Sequence, residues 1–537
     1  MPAADLTLGM TRSMVTMMQF NMQKQDYESS LQNLQEGTEE YRNALNSCHT
    51  RGADRCVKVA TMHRGLYVKA AQFIASIRGG TGDRGVPRQY TEALSVFTDH
   101  APHKTAAEVA EVFMECIPLG NWPTAPLDSS CALSSLENEP IAAASLAQVH
   151  KAVLRDGNGV AVKVQYPELR KEMASDFAVF KTMGAQIKQM SGGYDLMWIV
   201  EDFEKNLTRE LDFELEAAAG EATAAQLAHL APSVYVPRVF REFSSKRVLT
   251  MEFCEGLTKA NDPDALRAIG LDPEDCAALI CDTFAEMIFV HGRVHADPHA
   301  GNIYIRATSK DGRRIPQLVI LDHGLYYDLE DDVRRDFCKY WKACCAKDRV
   351  TMNEIGQRFA GALHRFLPLI LSPCFIFGGS GISLGEVISA AKGQLPDTIG
   401  IRDVADFVVA TRQSNSNLLG VLHSLGYTRG LLEELRFPEG MRLRSMLRFA
   451  VLGDVPHPPP VPRSLTSSER AWVNWRVAML NCHIALISPL ARPLMLYAKA
   501  EWAPPLWLLT SLPVLVGAMG AAGAWRWLRP VMPALEA

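Results

Sequence analysis

The sequence predicts an α+β fold of two lobes, a small strand-rich one followed by a larger helical one, with helical regions added at both ends. Three observations carry this. Glu139–Gln165 reads as strand, loop, strand, turn, strand, with Val160, Val162 and Val164 alternating along the last. A polar knot, His295-Ala-Asp-Pro-His-Ala-Gly-Asn302, precedes an apolar run, Leu318–Leu321, tipped by Asp322-His323-Gly324. Residues 10–120 and the chain beyond Tyr326 carry apolar residues mainly at helical spacing. At 537 residues, 48% of them hydrophobic, the chain can bury more than one core. The expected division is a helical extension over 1–135, a small lobe with a helical insert over 136–258, and a large lobe with its extension over 259–455. A Pro-rich linker over 456–463 and a helical C-terminal region over 464–537 follow.

In chain order, candidate helices are Tyr27–Ser47, Ala53–Ile77, Gln89–Thr98 and Thr105–Ile117. Lys69 and Gln72 stand three apart on the second and share one face. In the small lobe, Asp156-Gly157-Asn158-Gly159 makes the turn. Period-two alternation points Lys163 away from the valine face, where a lysine can pair with nucleotide phosphates. The loop Ala142-Ala143-Ala144-Ser145 stands where a phosphate loop carries glycines; alanine keeps the amide donors but restricts their conformations. Tyr166-Pro167 ends the strand, and a helix runs to Met190. A long helical stretch, Leu196–Leu230, carries Glu210, Asp212 and Glu216, with Glu216 expected to pair with Lys163. Strands are expected at Pro237–Phe240 and Arg247–Phe253. Glu252 to Cys254 then forms a hinge whose backbone meets adenine, and Leu266–His291 is a helix pair.

The polar knot supplies the chemistry. Asp297 and Asn302 have the acid-x-x-x-x-Asn spacing of a kinase catalytic loop, and Asp322-His-Gly stands where kinases carry Asp-Phe-Gly. Phosphoryl transfer needs this set: one carboxylate orients the attacking hydroxyl or water, while an amide and a second carboxylate hold magnesium. Asp297 takes the first role; Asn302 and Asp322 take the second. The fold is therefore expected to be protein-kinase-like, with ATP and Mg²⁺ as cofactors. A metal-hydrolase cluster built on His295 and His299 is the competing reading, but it leaves Lys163 and Asp322 without a role. The turn Lys310-Asp-Gly312 closes a hairpin between Ile303–Ile305 and Leu318–Leu321, and a helix is expected over Tyr326–Lys347. No Ala-Pro-Glu follows, which argues against an ordinary protein kinase.

Composition excludes several classes. A net charge of −5 supplies no basic field for nucleic acid. Twelve cysteines, without Cys-x-x-Cys spacing and with Cys344-Cys345 adjacent, indicate reduced thiols rather than a disulfide framework. Met1–Gln25 is Met-rich with one acid, a weak organellar-transit pattern. Leu506–Trp525 carries no charge and is long enough to cross a bilayer at ~1.5 Å per residue, though Pro513 interrupts it.

Five segments, taken together and in order, resemble the UbiB family, also called ADCK or aarF-domain atypical kinases. Gly65–Gln72 resembles its Lys-x-Gly-Gln motif, Ala142–His150 its Ala-rich loop, and Val160–Pro167 its strand lysine. Glu210-Leu-Asp212 resembles its Glu-x-Asp motif. His295–Asn302 with Asp322–Gly324 resembles its catalytic and metal segments, with Asp-His-Gly resembling one branch. Two departures stand out: the motif glycine is Ala71, and the proline expected after the second loop histidine is Ala300. The resemblance implies family helices packed over the nucleotide pocket, with Lys69 and Gln72 engaging Glu210 and Asp212 and occluding protein substrates. It implies ATP binding and hydrolysis tied to isoprenoid quinone and lipid metabolism, at a membrane of mitochondrion or plastid. A lipid or isoprenoid substrate and a lipid-biosynthesis complex are the expected partners. A nucleotide-binding pseudokinase scaffold and a true protein kinase are the alternative functions.

Overall fold

The computed structural model describes residues 3–35, 38–76, 87–97, 103–190, 197–346, 348–361, 364, 367, 417–456 and 461–479. The candidate span 506–525, the glycine breaks near 378–385 and the middle of the Pro-rich linker lie outside the described residues. Among the described residues, no helix is long and apolar enough to cross a membrane.

The N-terminal region is helical: α1 (Ala3–Leu31), α2 (Glu39–His63), α3 (Gly65–Ser76), α4 (Arg88–Leu94) and α5 (Ala106–Phe113). Two expected helices are each split. Thr38 starts α2 by accepting the Tyr41 N–H on its hydroxyl, so 27–47 is not continuous. Arg64, at φ +56°, turns the chain after α2, so Lys69 and Gln72 ride on the separate helix α3. α1 is tied to the next long helix, α6 (Leu169–Met190), through Arg12, which meets Glu172 at 2.5 Å and Asp176 at 2.8 Å.

The small lobe is a five-stranded antiparallel sheet. Its strands are β1 (Leu133–Leu136), β2 (Ala142–Ala143), β3 (Ala147–Leu154), β4 (Gly159–Gln165) and β6 (Val248–Glu252), in the order β1-β3-β4-β6 with β2 beside β3. Its two faces have different jobs. Val160, Val162 and Val164 are fully buried in a core shared with Val109 and Phe113 of α5 and Phe177 of α6. Burying each such side chain contributes roughly 1.5–3 kcal/mol. The other face meets α8 (Phe213–Gln226) through Phe213, Ala217, Leu249 and Met251. The expected helix 196–230 is also split, into α7 (Met197–Glu210) and α8, because Asp212 caps α8 by accepting the Glu214 N–H. Pro237–Phe240 forms no strand. It contributes one bridge, Val239 to Met251, and the strand lies earlier, at β5 (Val234–Tyr235).

The large lobe begins with β7 (Thr258–Lys259), α9 (Pro263–Ala268) and α10 (Pro273–Glu286). α10 runs into a π-helical turn, Met287–His291, ended by Gly292 at φ +68°. β8 (Arg293–His295), β9 (Ile303–Lys310), β10 (Arg313–Ile320) and β11 (Tyr326–Asp328) follow, with β5-β10-β9-β7 forming one sheet and β8-β11 another. Asp311 and Gly312, at φ +52° and +74°, make the tight β9–β10 turn that Asp-Gly favours. Tyr326–Lys347 is not one helix. Its first residues pair with β8, Tyr326 opposite His295, and helix resumes at α11 (Asp331–Ala346). α12 (Arg349–Ala360), α13 (Leu418–Glu434) and α14 (Glu439–Gly453) complete the described lobe. Its core includes Phe284, Phe289, Phe337 and Trp341, with Phe289 stacked on Phe337 at 5.4 Å. The buried Arg334 guanidinium fastens the end of α14 by donating to the carbonyls of Phe289, Gly453 and Val455.

Candidate active site

The alternation that buries the valines turns Lys163 toward α8. Its Nζ lies 2.7 Å from Glu216 Oε1 and 2.9 Å from Asp322 Oδ2, with the Phe213 ring centroid at 5.0 Å. Three distant parts of the chain thus meet on one ammonium group. Burial alone favours neutral lysine, but the charges of Asp322 and Glu216 outweigh it, and the Lys163 pKa rises. Burial also opposes ionised Asp322. The Lys163 charge and hydrogen bond, helped by the Gly324 N–H, overcome this and hold the carboxyl well below its usual range. Glu216 is the most enclosed of the three, and burial pushes its pKa up to about 7 despite Lys163.

The catalytic-loop segment is oriented by a histidine. His295 is buried, donates from Nε2 to the Asp322 carbonyl at 2.9 Å and accepts the Asp297 N–H on Nδ1 at 3.1 Å. These two bonds fix its tautomer and tie the loop to the Asp322 segment. Asp297 itself is open, its side chain 42% exposed, with His299 Nε2 at 3.5 Å. Asn302 donates from Nδ2 to the Asp297 carbonyl at 3.0 Å, which leaves its amide oxygen for another partner. Because both His295 nitrogens are committed, His295 and His299 do not assemble a hydrolase cluster. Among the described residues no group of three or more His, Cys, Asp or Glu side chains forms a metal cage. The donor set at Asp322 and Asn302 still fits magnesium: an ionised carboxylate and an amide oxygen, with nucleotide phosphates and water completing a hard-oxygen shell. These two residues would hold Mg²⁺, which would supply positive charge against a phosphate.

His323 follows Asp322 directly in the chain. It is buried and stacked on Tyr326, accepting the Tyr326 hydroxyl on Nδ1 at 2.7 Å and donating from Nε2 to the Ile320 carbonyl at 3.2 Å. Burial, with neighbouring His295, lowers its pKa to about 3, so the ring packs as a neutral group. A Cβ on Gly220 of α8 would stand 3.2 Å from the ring, so glycine there allows α8 to seat against it.

The elements expected to face nucleotide differ from the expectations in detail. Ala142 and Ala143 pair with Val149 and Gln148, and the Ala144 N–H is committed to the Ala147 carbonyl. Ser145 is buried, so the alanine loop is a tight hairpin rather than an open cradle of amides. At the hinge the Glu252 carboxylate takes the Tyr235 hydroxyl, and the Glu252 and Phe253 N–H groups donate to Arg238 and Gly159. Cys254 is buried, which pushes its thiol up to about 11. No main-chain hydrogen bond among the described residues involves Cys254, so its peptide groups are available to a partner there.

Lys69 of α3 reaches Glu210 Oε2 at 2.6 Å. Burial opposes its charge, but Glu210, with Asp297 and Asp322 farther off, raises its pKa overall. Gln72 does not follow the expected pairing. Its amide donates to the Phe97 carbonyl at 2.8 Å, and Asp212 caps α8 with Lys246 at 3.9 Å. Sequence reasoning missed the positioning role of His295, for which the His-x-Asp spacing was a signal, and the contacts of Phe213 and Gly220, for which nothing local was.

Residues 99–356 match the family described as ABC1 atypical kinase-like domain. The chain is 34% identical to the AarF domain-containing protein kinase 1 of Xenopus laevis over 65% of this chain and 64% of that one. It therefore spans a little under two thirds of that relative. It is 32% identical to the AarF domain-containing kinase 1 of Drosophila melanogaster over 83% of this chain and 84% of that protein. A solved structure, a complex of Rv3197 with erythromycin from Mycobacterium tuberculosis, aligns at 22% identity over 74% of this chain and 98% of that one. Its TM-score is 0.38. The family match and the coverage of the fly relative place the lobes described above in a kinase-like fold, and the chain belongs to the ABC1/AarF atypical kinase family.

Proposed function

We propose that this protein binds Mg-ATP between its lobes and uses it as an ATPase, or as a kinase of a small-molecule or lipid-linked substrate, in isoprenoid quinone or lipid metabolism. The observation that carries the reading is Lys163 bridging Glu216 and Asp322 at 2.7 and 2.9 Å, one cation joining strand, helix and metal segment. Lys163 then pairs with phosphates, Glu216 orients it, Asp297 positions the attacking hydroxyl or water, and Asn302 with Asp322 holds Mg²⁺. Lys69 sits on Glu210 at the edge of the site and acts as a gate together with α3. Association with a mitochondrial or plastid membrane, a lipid or isoprenoid substrate and a lipid-biosynthesis complex belong to the same proposal. They rest on the family and on the uncharged stretch 506–525.

The test is ADP release from labelled ATP by the purified chain and its Asp322→Asn variant, with folding checked by circular dichroism. Turnover is expected to vanish in the variant. Hydrolysis at the wild-type rate would remove the assignment. The commitment of the Ala144 N–H to Ala147 favours a second reading, a nucleotide-binding scaffold, because it leaves fewer amides to grip phosphate. Nucleotide binding without turnover in the wild type would select it. A true protein kinase would require labelled phosphate on a peptide acceptor. That reading has less support here, since only Leu325 separates Gly324 from β11 and α11 starts at Asp331.

A further inference from the structure

A cavity of about 420 Å³ opens between α14, the end of α10 and residues 462–474. Four arginines reach it: Arg444 and Arg448 from α14, and Arg463 and Arg470 from the other wall. Arg463 is paired with Glu469 at 2.6 Å, and Arg448 with Asp282 at 3.4 Å. Arg444 and Arg470 meet no carboxylate within 4 Å among the described residues. Glu286, the one acid on the wall among the described residues, already shares Oε1 between His229 at 2.8 Å and His291 at 2.9 Å. Phe449, Leu452, Leu465 and Val473 supply an apolar part of the lining.

This concentration of positive charge stands on a chain of net charge −5, so it does not reflect a generally basic surface. Arg444 and Arg448 lie four apart on one helix face, and Asp282 answers Arg448 alone, leaving Arg444 for another anion. Guanidinium groups match the oxygen geometry of a phosphate. The cavity is also the size of ordinary ligand pockets, which run from roughly 300 to 1,000 Å³. We propose that this cavity binds a phosphate ester carrying an apolar group, the phosphate between Arg444 and Arg470 and the apolar part on Phe449 and Leu452. The same chemistry is offered by a soluble alkyl phosphate and by an anionic lipid headgroup.

The test uses the full chain and two probes, octyl phosphate by calorimetry and phosphatidylcholine vesicles with or without phosphatidic acid by co-sedimentation. The variant is Arg444→Gln with Arg470→Gln. Both side chains are exposed, and an unchanged unfolding midpoint checks the fold. The expected result is at least about tenfold weaker binding of octyl phosphate in the double glutamine variant, with the double lysine variant in between, because charge remains but the fork is lost. Phosphatidic-acid-dependent sedimentation that the same variant abolishes would assign the ligand to a membrane; arginine-dependent binding of octyl phosphate alone would assign it to solution. Binding that is indifferent to both substitutions, or no binding of either probe, would overturn the proposal.

Discussion

The two halves of the cleft are built on opposite principles. On the small-lobe side, Lys163 and Glu216 form an interlocked set with Asp322 reaching over from the large lobe, held at 2.7 and 2.9 Å, with Glu216 almost fully enclosed. On the large-lobe side, Asp297 is 42% exposed, with His299 Nε2 at 3.5 Å from its carboxylate. What is fixed there is the backbone, through His295 and Asn302. The difference teaches which part is also structural. On the proposed function, a charge set that spans strand, helix and metal segment would contribute to the fold as well as to phosphate binding, whereas a solvent-facing carboxylate on a pinned loop would contribute to chemistry alone.

Substitutions can break this comparison. Lys163→Met should abolish turnover and also destabilise the fold by about 3 kcal/mol or more in urea unfolding, because two carboxylates lose their shared cation. Adding Glu216→Gln should restore part of that loss; no recovery would mean that the triad is not a stabilising unit. Asp297→Asn should cost about 10²–10⁴ in rate. It should leave stability within about 0.5 kcal/mol, as for an exposed side chain. A large fall in its unfolding midpoint would erase the distinction between the two sides.

A pH experiment sharpens it further. His323 has its folded pKa pushed down to about 3 from an ordinary 6.5. A depressed pKa means that the stabilising contribution is complete above pH 6.5 and is lost as pH falls, because only the unfolded chain takes up the proton. Below pH 6.5 this one group should remove up to about 1.4 kcal/mol per pH unit. His323→Phe should therefore flatten the decline of stability between pH 6.5 and 5; an unchanged slope would locate the acid sensitivity elsewhere. The smallest effect is expected at Gln72→Ala, which removes one hydrogen bond to Phe97 and should cost about 1 kcal/mol. An equal loss of ATP turnover there would bring Gln72 back into the site.

Local patterns were legible in the sequence where a short-range rule decides them. Alternation at Val160, Val162 and Val164 gave the direction of Lys163, and Asp311-Gly312 gave the hairpin turn. The failures are long-range. Tyr326–Asp328 reads as the start of a helix but pairs with β8, a partner about 30 residues earlier. Glu210 and Asp212 read as part of one long helix, yet the Asp212 cap places them at the junction of successive helices, so Glu210 meets Lys69 while Asp212 serves α8. Gln72 is drawn to Phe97, whose position depends on how α3 and α4 pack. In the site, the order of Lys163, Asp297, Asn302 and Asp322 was readable, whereas the work of His295 depends on a contact across 27 residues.

The most direct test of the account is a thermal-shift titration with ATP, with and without Mg²⁺, on the wild type and on Asp322→Asn. At 100 times the Kd, bound Mg-ATP should add about 2.7 kcal/mol of apparent stability to the wild type. The account predicts that this magnesium-dependent gain disappears in the variant. An equal magnesium-dependent gain in both proteins would contradict Asp322 as the metal-holding carboxylate, and no gain in the folded wild type would contradict the nucleotide site itself.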